Sequence, residues 1–252
     1  DIDGIISDNR FGVYSLNRNI PSVYITHQIK VFSGSTTFVT TRLHQHIIKK
    51  YDECWIPDYE NSPNLSGKLS HIENSKLNLK YIGALSRFRK RVSETKYDIL
   101  LLLSGPEPQR RILEKILLKE FKNYKGRIIL VQGIIEKLQT HTQIGNIVVY
   151  NFMNSNELET TIQSSDVIIS RSGYTTIMDL ATLEKKAFFI PTPGQNEQYI
   201  LAKILETLHI APFCKQNAFN LKVLEKIGAY KGFQSFNNNP DYKKLFGLFK
   251  RE

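Results

Sequence analysis

A buried-strand pattern, a glycine turn and a helix follow one another between residues 167 and 181, and they constrain the fold more than any other segment. The run Val167-Ile168-Ile169 is typical of a strand inside a parallel sheet. Gly173 lets a ligand approach the backbone of the turn, and the helix that follows presents unpaired N–H groups and the positive end of its dipole. This arrangement predicts a site for a phosphate or diphosphate.

Asp179 extends this prediction to a nucleotide. It lies about one helical turn beyond Thr175 and Thr176, where its carboxylate can accept two hydrogen bonds from a vicinal diol such as ribose. The next loop is placed to hold whatever the diphosphate carries. Strand–glycine–helix turns also occur in α/β domains that bind no nucleotide, so the turn alone leaves a purely structural role open.

Five motifs from residue 170 onward resemble, in this order, the donor-binding region of the MurG-like glycosyltransferases. These are two-domain enzymes that use UDP-N-acetylglucosamine or a related nucleotide sugar. The motifs are Ser-Arg-Ser-Gly at 170–173, Asp-Leu-Ala at 179–181, Glu-Lys-Lys at 184–186, an apolar strand ending in proline at 188–191, and Glu-Gln-Tyr at 197–199. The combination in this order is specific, whereas no single motif is.

The resemblance implies a role for each part of the site. Asp179 would hold the ribose hydroxyls, while Glu197 and Gln198 would hold the sugar. Met153 would contact the uracil ring, and the loop that begins at Ser104 would contact phosphate. The complete set of expected donor-binding residues is Ser104, Gly105, Met153, Arg171, Ser172, Gly173, Thr175, Thr176, Asp179, Gln195, Glu197 and Gln198.

The site departs from the family pattern at three places. The loop after Ser104 has one glycine and two prolines where the family has several glycines, and proline has no N–H to offer a phosphate. Asp179 stands where glutamate is common, and Glu197 stands where glutamine is common and adds a negative charge near the sugar. Arg171 can act as a cation facing the diphosphate or as a structural ion-pair partner, and the sequence does not separate these roles.

The resemblance implies an α/β fold of the GT-B type, with a Rossmann-like parallel-sheet domain for the nucleotide sugar and the remnant of a second Rossmann-like domain. We place the acceptor-side domain at residues 1–84 and the donor-binding domain at residues 85–252, with the last helix, at about 240–252, crossing back to the first domain. Strands and helices alternate in the second part, which predicts a parallel sheet covered on both faces. The expected strands lie at residues 4–7, 23–26, 54–56, 97–103, 127–132, 146–150, 167–170 and 187–190, and the expected helices at 37–51, 109–124, 155–165, 199–208 and 242–250. In the first of these helices, Leu43 and Ile47 lie four residues apart on the apolar side.

The chain has 252 residues, of which 41% are hydrophobic, and this is enough for two modest domains with full cores. It begins with Asp, and residues 4–8 already resemble a buried strand running into a loop, so we expect the full protein to have a further amino-terminal portion. The net charge of +10 favours anionic partners. No motif of a nucleic-acid-binding domain is evident, so we expect the basic clusters at residues 87–91 and 243–251 to be solvated or to contact an anionic membrane.

The two cysteines, Cys54 and Cys214, are far apart in sequence and indicate a reduced, cytoplasmic setting. No apolar run reaches the length of a membrane span. The expected location is therefore the cytoplasm, with peripheral association at the inner face of the cell membrane. No metal-binding motif is evident, and we expect neither a metal nor a cofactor.

These observations predict an inverting glycosyltransferase that moves a sugar, of the N-acetylhexosamine type, from a UDP-sugar to a cell-envelope, lipid-linked or glycan acceptor. The catalytic residue is unknown; His27, at a strand end, is a candidate. The resemblance places the acceptor-activating groups in loops that this chain lacks, so we expect the chain alone to bind nucleotide without transferring sugar. Two alternatives stay open: a UDP-sugar hydrolase on the same scaffold, and a non-catalytic nucleotide-sugar-binding subunit that needs a partner chain.

Overall fold

The computed structural model describes residues 2–73, 76–234, 236 and 241–250. The chain forms two compact units, one made of Asp1–Leu85 with Phe236–Glu252 and the other of Ser86–Ser235. Each unit has its own sheet and its own apolar core.

The first unit is built on a four-stranded parallel sheet whose strands follow chain order. The strands are β1 (Ile5–Asp8), β2 (Ser22–Ile25), β3 (Glu53–Ile56) and β4 (Leu79–Tyr81). Helix α1 (Thr37–Ile48) joins β2 to β3. The three strands expected in this part are therefore confirmed to within one residue at each end.

Helix α1 buries only part of the side that the sequence suggested, because Ile47 packs against the core of the first unit but Leu43 does not. His44 and Ile48 are buried, whereas Leu43 is 62% exposed. The helix also ends before residue 51. The residues after Ile48 form tighter turns with hydrogen bonds between residues three apart, and Tyr51 packs in the core. Exposed apolar side chains, among them Leu43, therefore lie on the outer side of α1.

The second unit is built on a six-stranded sheet in the order β10-β9-β5-β6-β8-β7. The strands are β5 (Tyr97–Leu102), β6 (Ile128–Val131), β7 (His141–Ile144), β8 (Ile147–Tyr150), β9 (Ser165–Ser170) and β10 (Lys186–Phe189). The helices between and after them are α2 (Gln109–Glu120), α3 (Ser155–Gln163), α4 (Tyr174–Thr182) and α5 (Asn196–Thr207). The strands other than β7 are parallel and mostly buried, as expected for a sheet covered on both faces.

Strand β7 was not expected. It pairs antiparallel with β8 at the edge of the sheet, and its four residues are exposed. The sequence His-Thr-Gln-Ile at 141–144 has no buried face and so has no hydrophobic pattern to reveal it. The turn residues Gly145-Asn146, where Gly145 has φ +60°, were a usable signal for a two-residue hairpin.

Several helices are shorter than predicted. Helix α2 ends at Glu120 and continues as a 3₁₀ turn, and α3 ends at Gln163 so that Ser165 can begin β9. The helix expected at 242–250 is one turn of α-helix, α6 (Tyr242–Leu245), followed by a 3₁₀ turn. The Gly- and Asn-rich sequence at 232–240 also predicts a break between helical segments, and this stretch falls largely on residues outside those described. Leu245 packs in the first unit with Val23, Trp55 and Ile82.

Candidate functional site

Three loops meet at the carboxyl edge of the six-stranded sheet. Strands β10, β9 and β5 are neighbours, and Ser170 is paired with both Phe189 and Leu102. The loops that follow these strands therefore begin side by side, which is where ligands bind in open α/β sheets. They contain eleven of the twelve expected donor-binding residues or lead directly into the helices that carry them.

The turn after β9 is open to solvent above Gly173. Gly173 caps α4 with φ −71° and ψ 141° and has no side chain to bond to the first turn of the helix. A Cβ added at Gly173 would have no described atom within 4 Å. Thr175 is exposed and Thr176 is half-buried. The first N–H groups of α4 thus border free space, as an anion site requires.

Ser172 and Gln198 are brought together, but their side chains already have partners in the protein. The Ser172 hydroxyl donates to the Gln198 backbone oxygen at 2.8 Å, and Gln198 Oε1 accepts the Thr192 N–H at 2.8 Å. Ser172 is completely buried. These bonds tie the start of α5 to the turn after β9 and to the loop after β10.

Arg171 faces the interior, with 1% of its surface exposed. Its guanidinium donates to the backbone oxygens of Ile190 (2.9 Å), Pro191 (3.2 Å) and Gln109 (2.9 Å) and to Gln216 Oε1 (2.6 Å). Burial lowers the pKa of Arg171 to about 10. Neither role considered from the sequence matches this arrangement, because these partners are neutral and the charge does not face open space. The side chain holds three segments of the edge together.

Asp179 is half-buried on α4, and its Oδ1 accepts a hydrogen bond of 2.6 Å from the Ser86 hydroxyl. Burial raises the pKa of the Asp179 carboxyl, while the Ser86 hydrogen bond and the charge of Arg87 act in the opposite direction. Ser86 was not recognised from the sequence, since it lies 93 residues away and belongs to no motif.

The loop after β10 and the start of α5 border a cavity of about 450 Å³. Gln195 lines this cavity with Tyr199, Phe213 and Lys215, whereas Glu197 and Gln198 do not. The Tyr199 and Phe213 rings meet edge to face at 5.5 Å. The residues expected to hold the sugar therefore do not all border this cavity: Gln195 lines it, whereas the Gln198 side chain is bonded to the Thr192 N–H.

The remaining expected residues lie further from the turn or are exposed above it. Ser104 and Gly105 are exposed, and a Cβ at Gly105 would lie 3.9 Å from Thr192 Oγ1, a buried hydroxyl without a partner among the described residues. Met153 follows β8, two strands away from β5, and its sulfur accepts the Thr161 hydroxyl at 3.4 Å. The structure therefore does not place Met153 beside the turn.

His27 lies in the other unit. It directly follows Thr26 at the end of β2 and is half-buried. The described residues contain no cluster of three metal-binding side chains, and none of the helices they form is long and apolar enough to cross a membrane.

Comparison with known proteins identifies similar sequences. The family model described as the glycosyltransferase family 28 C-terminal domain matches residues 99–240. A UDP-N-acetylglucosamine–N-acetylmuramyl-(pentapeptide) pyrophosphoryl-undecaprenol N-acetylglucosamine transferase from Sulfurihydrogenibium sp. is 30% identical over 132 residues, which is 50% of this chain and 36% of the relative. The protein of the same name from Campylobacter jejuni (strain RM1221) is 36% identical over 88 residues, 34% of this chain and 26% of the relative. The matched segments thus span about a third or less of these relatives.

Solved structures show the same fold at low sequence identity. The glycosyltransferase SnogD from Streptomyces nogalater aligns with a TM-score of 0.65 at 14% identity, covering 98% of this chain and 73% of that protein. MurG from Acinetobacter baumannii aligns with a TM-score of 0.50 at 16% identity, covering 83% of this chain and 57% of that protein. The expected α/β fold of the GT-B type is confirmed.

Proposed function

We propose that this chain, which belongs to glycosyltransferase family 28 and carries the C-terminal domain of that family, is the donor-binding part of an enzyme that transfers sugar from a UDP-sugar. The observation that carries this proposal is the open turn at Gly173, where an uncapped helix borders free space beside a half-buried carboxylate. The relatives described above are named as N-acetylglucosamine transferases, and these names support the same donor class.

In the proposed complex, the unit Ser86–Ser235 is the donor domain. The N–H groups at the start of α4 and the hydroxyls of Thr175 and Thr176 bind the diphosphate, and Asp179 binds the ribose diol. The loop from Gln195 to Gln198 orients the sugar. Aligned N–H groups would stabilise the negative charge that develops on the departing UDP as the glycosidic bond breaks.

The finer assignments rest on the relatives. We propose an N-acetylhexosamine donor, transfer with inversion, and a lipid-linked acceptor, because the relatives named above carry N-acetylglucosamine to an undecaprenol-linked molecule. The residues 1–84 would form part of the acceptor-side domain, together with the helix at the end of the chain. Removal of the acceptor proton is assigned to no residue of this chain.

We also propose that the first unit contacts an anionic membrane surface through the outer side of α1. Phe38, Val39 and Leu43 are 68%, 67% and 62% exposed there. Arg42, with its guanidinium carbon 5.1 Å from the centre of the Phe38 ring, and Lys49 border the same side and a groove of about 750 Å³. Exposed apolar side chains between basic ones are typical of surfaces that bind anionic lipid.

Vesicle co-sedimentation tests this membrane contact. We expect binding to vesicles that contain phosphatidylglycerol, weak binding to pure phosphatidylcholine, and loss of binding in the double variant Phe38→Ser, Leu43→Ser. The control is Ile135→Ser, Leu138→Ser, which removes apolar side chains that are 92% and 76% exposed in the other unit. Equal loss in both double variants would contradict the assignment of α1.

The donor assignment is tested by calorimetry with UDP and UDP-N-acetylglucosamine. We expect Asp179→Ala to weaken UDP binding by about 1.5–3 kcal/mol, the value of hydrogen bonds to a charged group. Asp166→Ala removes an exposed carboxylate from the opposite end of β9 and should leave the affinity unchanged. Unchanged affinity in Asp179→Ala would contradict the proposal.

A turnover assay separates the alternatives. UDP released from the UDP-sugar without an acceptor would favour a hydrolase on this scaffold. UDP binding without turnover in the full-length protein would favour a non-catalytic subunit. Sugar transfer by this chain alone would contradict the expectation that its acceptor-activating groups lie elsewhere.

A further inference from the structure

The contact between Ser86 and Asp179 joins the first residue of the second unit to the carboxylate proposed to hold ribose. The Ser86 Oγ to Asp179 Oδ1 distance is 2.6 Å, typical of a strong hydrogen bond from a hydroxyl to a carboxylate. Both side chains are half-buried. The contact is thus shielded in part from water, which makes a charged hydrogen bond stronger.

The Ser86 hydroxyl also accepts a hydrogen bond from the backbone. The Phe88 N–H donates to Ser86 Oγ at 3.0 Å, and Phe88 itself is buried, with 3% of its surface exposed. An ionised carboxylate has no hydrogen to donate, so the hydrogen of the Ser86 hydroxyl is directed to Asp179. Ser86 is therefore a donor to the carboxylate and relays the polarity of a backbone N–H to it.

The segment that carries Ser86 is held in place by side chains of α3 and by Glu184, which follows α4. The Arg89 N–H donates to Glu159 at 2.8 Å, and the Arg91 N–H donates to Gln163 at 2.5 Å. The Lys90 ammonium pairs with Glu184. These bonds fix the backbone on the far side of Phe88, so Ser86 meets Asp179 in a defined position.

We propose, on the basis of the proposed function, that Ser86 is a positioning residue for donor binding: it holds Oδ1 of Asp179 so that the rest of the carboxylate faces the ribose diol. A carboxylate has about four lone-pair sites, and Ser86 occupies one of them. Among the described residues, Asp179 Oδ2 has no hydrogen-bond partner, so it is available to the two hydroxyls. The specificity that follows is for ribose over sugars that lack these hydroxyls.

The same contact affects the pH range in which the Asp179 carboxylate can accept hydrogen bonds from ribose. Burial raises the pKa of Asp179, and the Ser86 hydrogen bond and Arg87 lower it. Removal of the Ser86 hydroxyl would therefore raise this pKa further and protonate Asp179 at a higher pH. The acid side of the profile of UDP affinity against pH would move to higher pH, since a protonated carboxyl offers fewer acceptor sites.

The test compares two nucleotides and three variants of the chain. Calorimetry with UDP and with 2′,3′-dideoxy-UDP measures the contribution of the ribose hydroxyls. Ser86→Ala removes the hydroxyl, Ser86→Thr restores it on a larger side chain, and Ser93→Ala removes an exposed serine hydroxyl from the same segment as a control. Thermal unfolding of each variant shows whether it is folded.

The expected result is that Ser86→Ala weakens UDP binding about tenfold, leaves binding of the dideoxy nucleotide unchanged and moves the acid side of the pH profile upward. Ser86→Thr and Ser93→Ala should resemble the parent chain. The parent chain could bind UDP more tightly than the dideoxy nucleotide while Ser86→Ala has the same two affinities as the parent. That result would refute the role of Ser86 and leave the role of Asp179 standing. If Ser86→Ala binds UDP more tightly, Ser86 competes with ribose and the proposal is wrong. If the parent chain does not distinguish them, the ribose assignment itself fails.

Discussion

Two neighbouring strands, β5 and β9, each lead through a glycine into a helix, but the two helices begin in chemically different ways. At α2, the Glu107 carboxylate accepts the Arg111 N–H at 3.3 Å and pairs with the Arg110 guanidinium at 2.6 Å. At α4, the residue at the N-cap position is Gly173, which makes no side-chain capping hydrogen bond. The chain supplies its own anion to α2, whereas α4 is the helix at which we propose that an external anion binds.

The two glycines are required for different reasons. Gly105 has φ +96°, a conformation that residues with a Cβ rarely adopt. Gly173 has φ −71°, which any residue adopts, and an added Cβ there would meet no described atom within 4 Å. The glycine after β5 is therefore needed by the backbone, and the glycine after β9 provides space. This difference is the one expected between a turn with a structural role and the turn at which we propose that the diphosphate binds.

The largest expected effect concerns Arg171, which ties the two regions together through Gln109 at the start of α2. Replacement Arg171→Met leaves four acceptors without their donor, so we expect the free energy of unfolding to fall by about 3 kcal/mol. Urea unfolding measures this. Arg127→Met removes an arginine that is 62% exposed and paired with Asp98, and should cost less than about 1 kcal/mol. Similar losses in both variants would show that the buried network contributes little.

The next prediction tests whether Gly173 is needed for the open space above it and not for the backbone conformation. Gly173→Leu places a side chain where the phosphate is proposed to bind, so we expect UDP affinity to fall about 100-fold or more with little change in the melting temperature. Gly228→Ala is a matched control, since Gly228 also has open space around its Cβ position and lies away from the edge. A Gly173→Leu protein that binds UDP normally would remove the basis of the proposed site.

The complementary change is Gly105→Ala. The positive φ makes any Cβ unfavourable, so we expect a loss of about 1 kcal/mol in the free energy of unfolding. UDP affinity should change less than threefold, or about 0.6 kcal/mol, because α2 is already capped by Glu107. Chemical denaturation and calorimetry on the same sample measure both. A large loss of affinity at unchanged stability would place the phosphate at β5 instead of β9.

The smallest effect concerns Asp179→Asn. Because burial raises the pKa of Asp179, its negative charge opposes folding at pH above that raised value, and the amide removes this penalty. We expect a small gain in stability at pH 7 that disappears as the pH falls toward the ordinary carboxyl pKa. Thermal unfolding at pH 4 and pH 7 measures it, and a loss of stability at pH 7 would contradict it.

The order of strands and helices in the second unit could be predicted because each parallel strand is a continuous apolar run and each helix has one apolar side. Strand β7 could not, since its residues are exposed and give no such pattern. The burial of Leu43 was wrong because a helix with apolar residues on both sides, such as α1, does not reveal which side meets the sheet.

For the site, sequence reasoning located the turn at Gly173 and the helix that carries Asp179, since both follow directly from a strand–glycine–helix pattern. It could not locate Ser86 or the partners of Arg171. Those contacts join segments that are 19 to 93 residues apart, and each depends on which strands are neighbours in the sheet. The side-chain bonds of Gln198 were hidden for the same reason.

The uncapped start of α4 has a consequence for solution measurements. Amide protons that lack an internal acceptor exchange with deuterated solvent far faster than those inside a helix. Those of Thr175 and Thr176 should therefore exchange early in the free protein, and a bound pyrophosphate would slow them selectively. The exchange rates of these two amides would thus report, without any added label, whether a ligand occupies the proposed site at this helix.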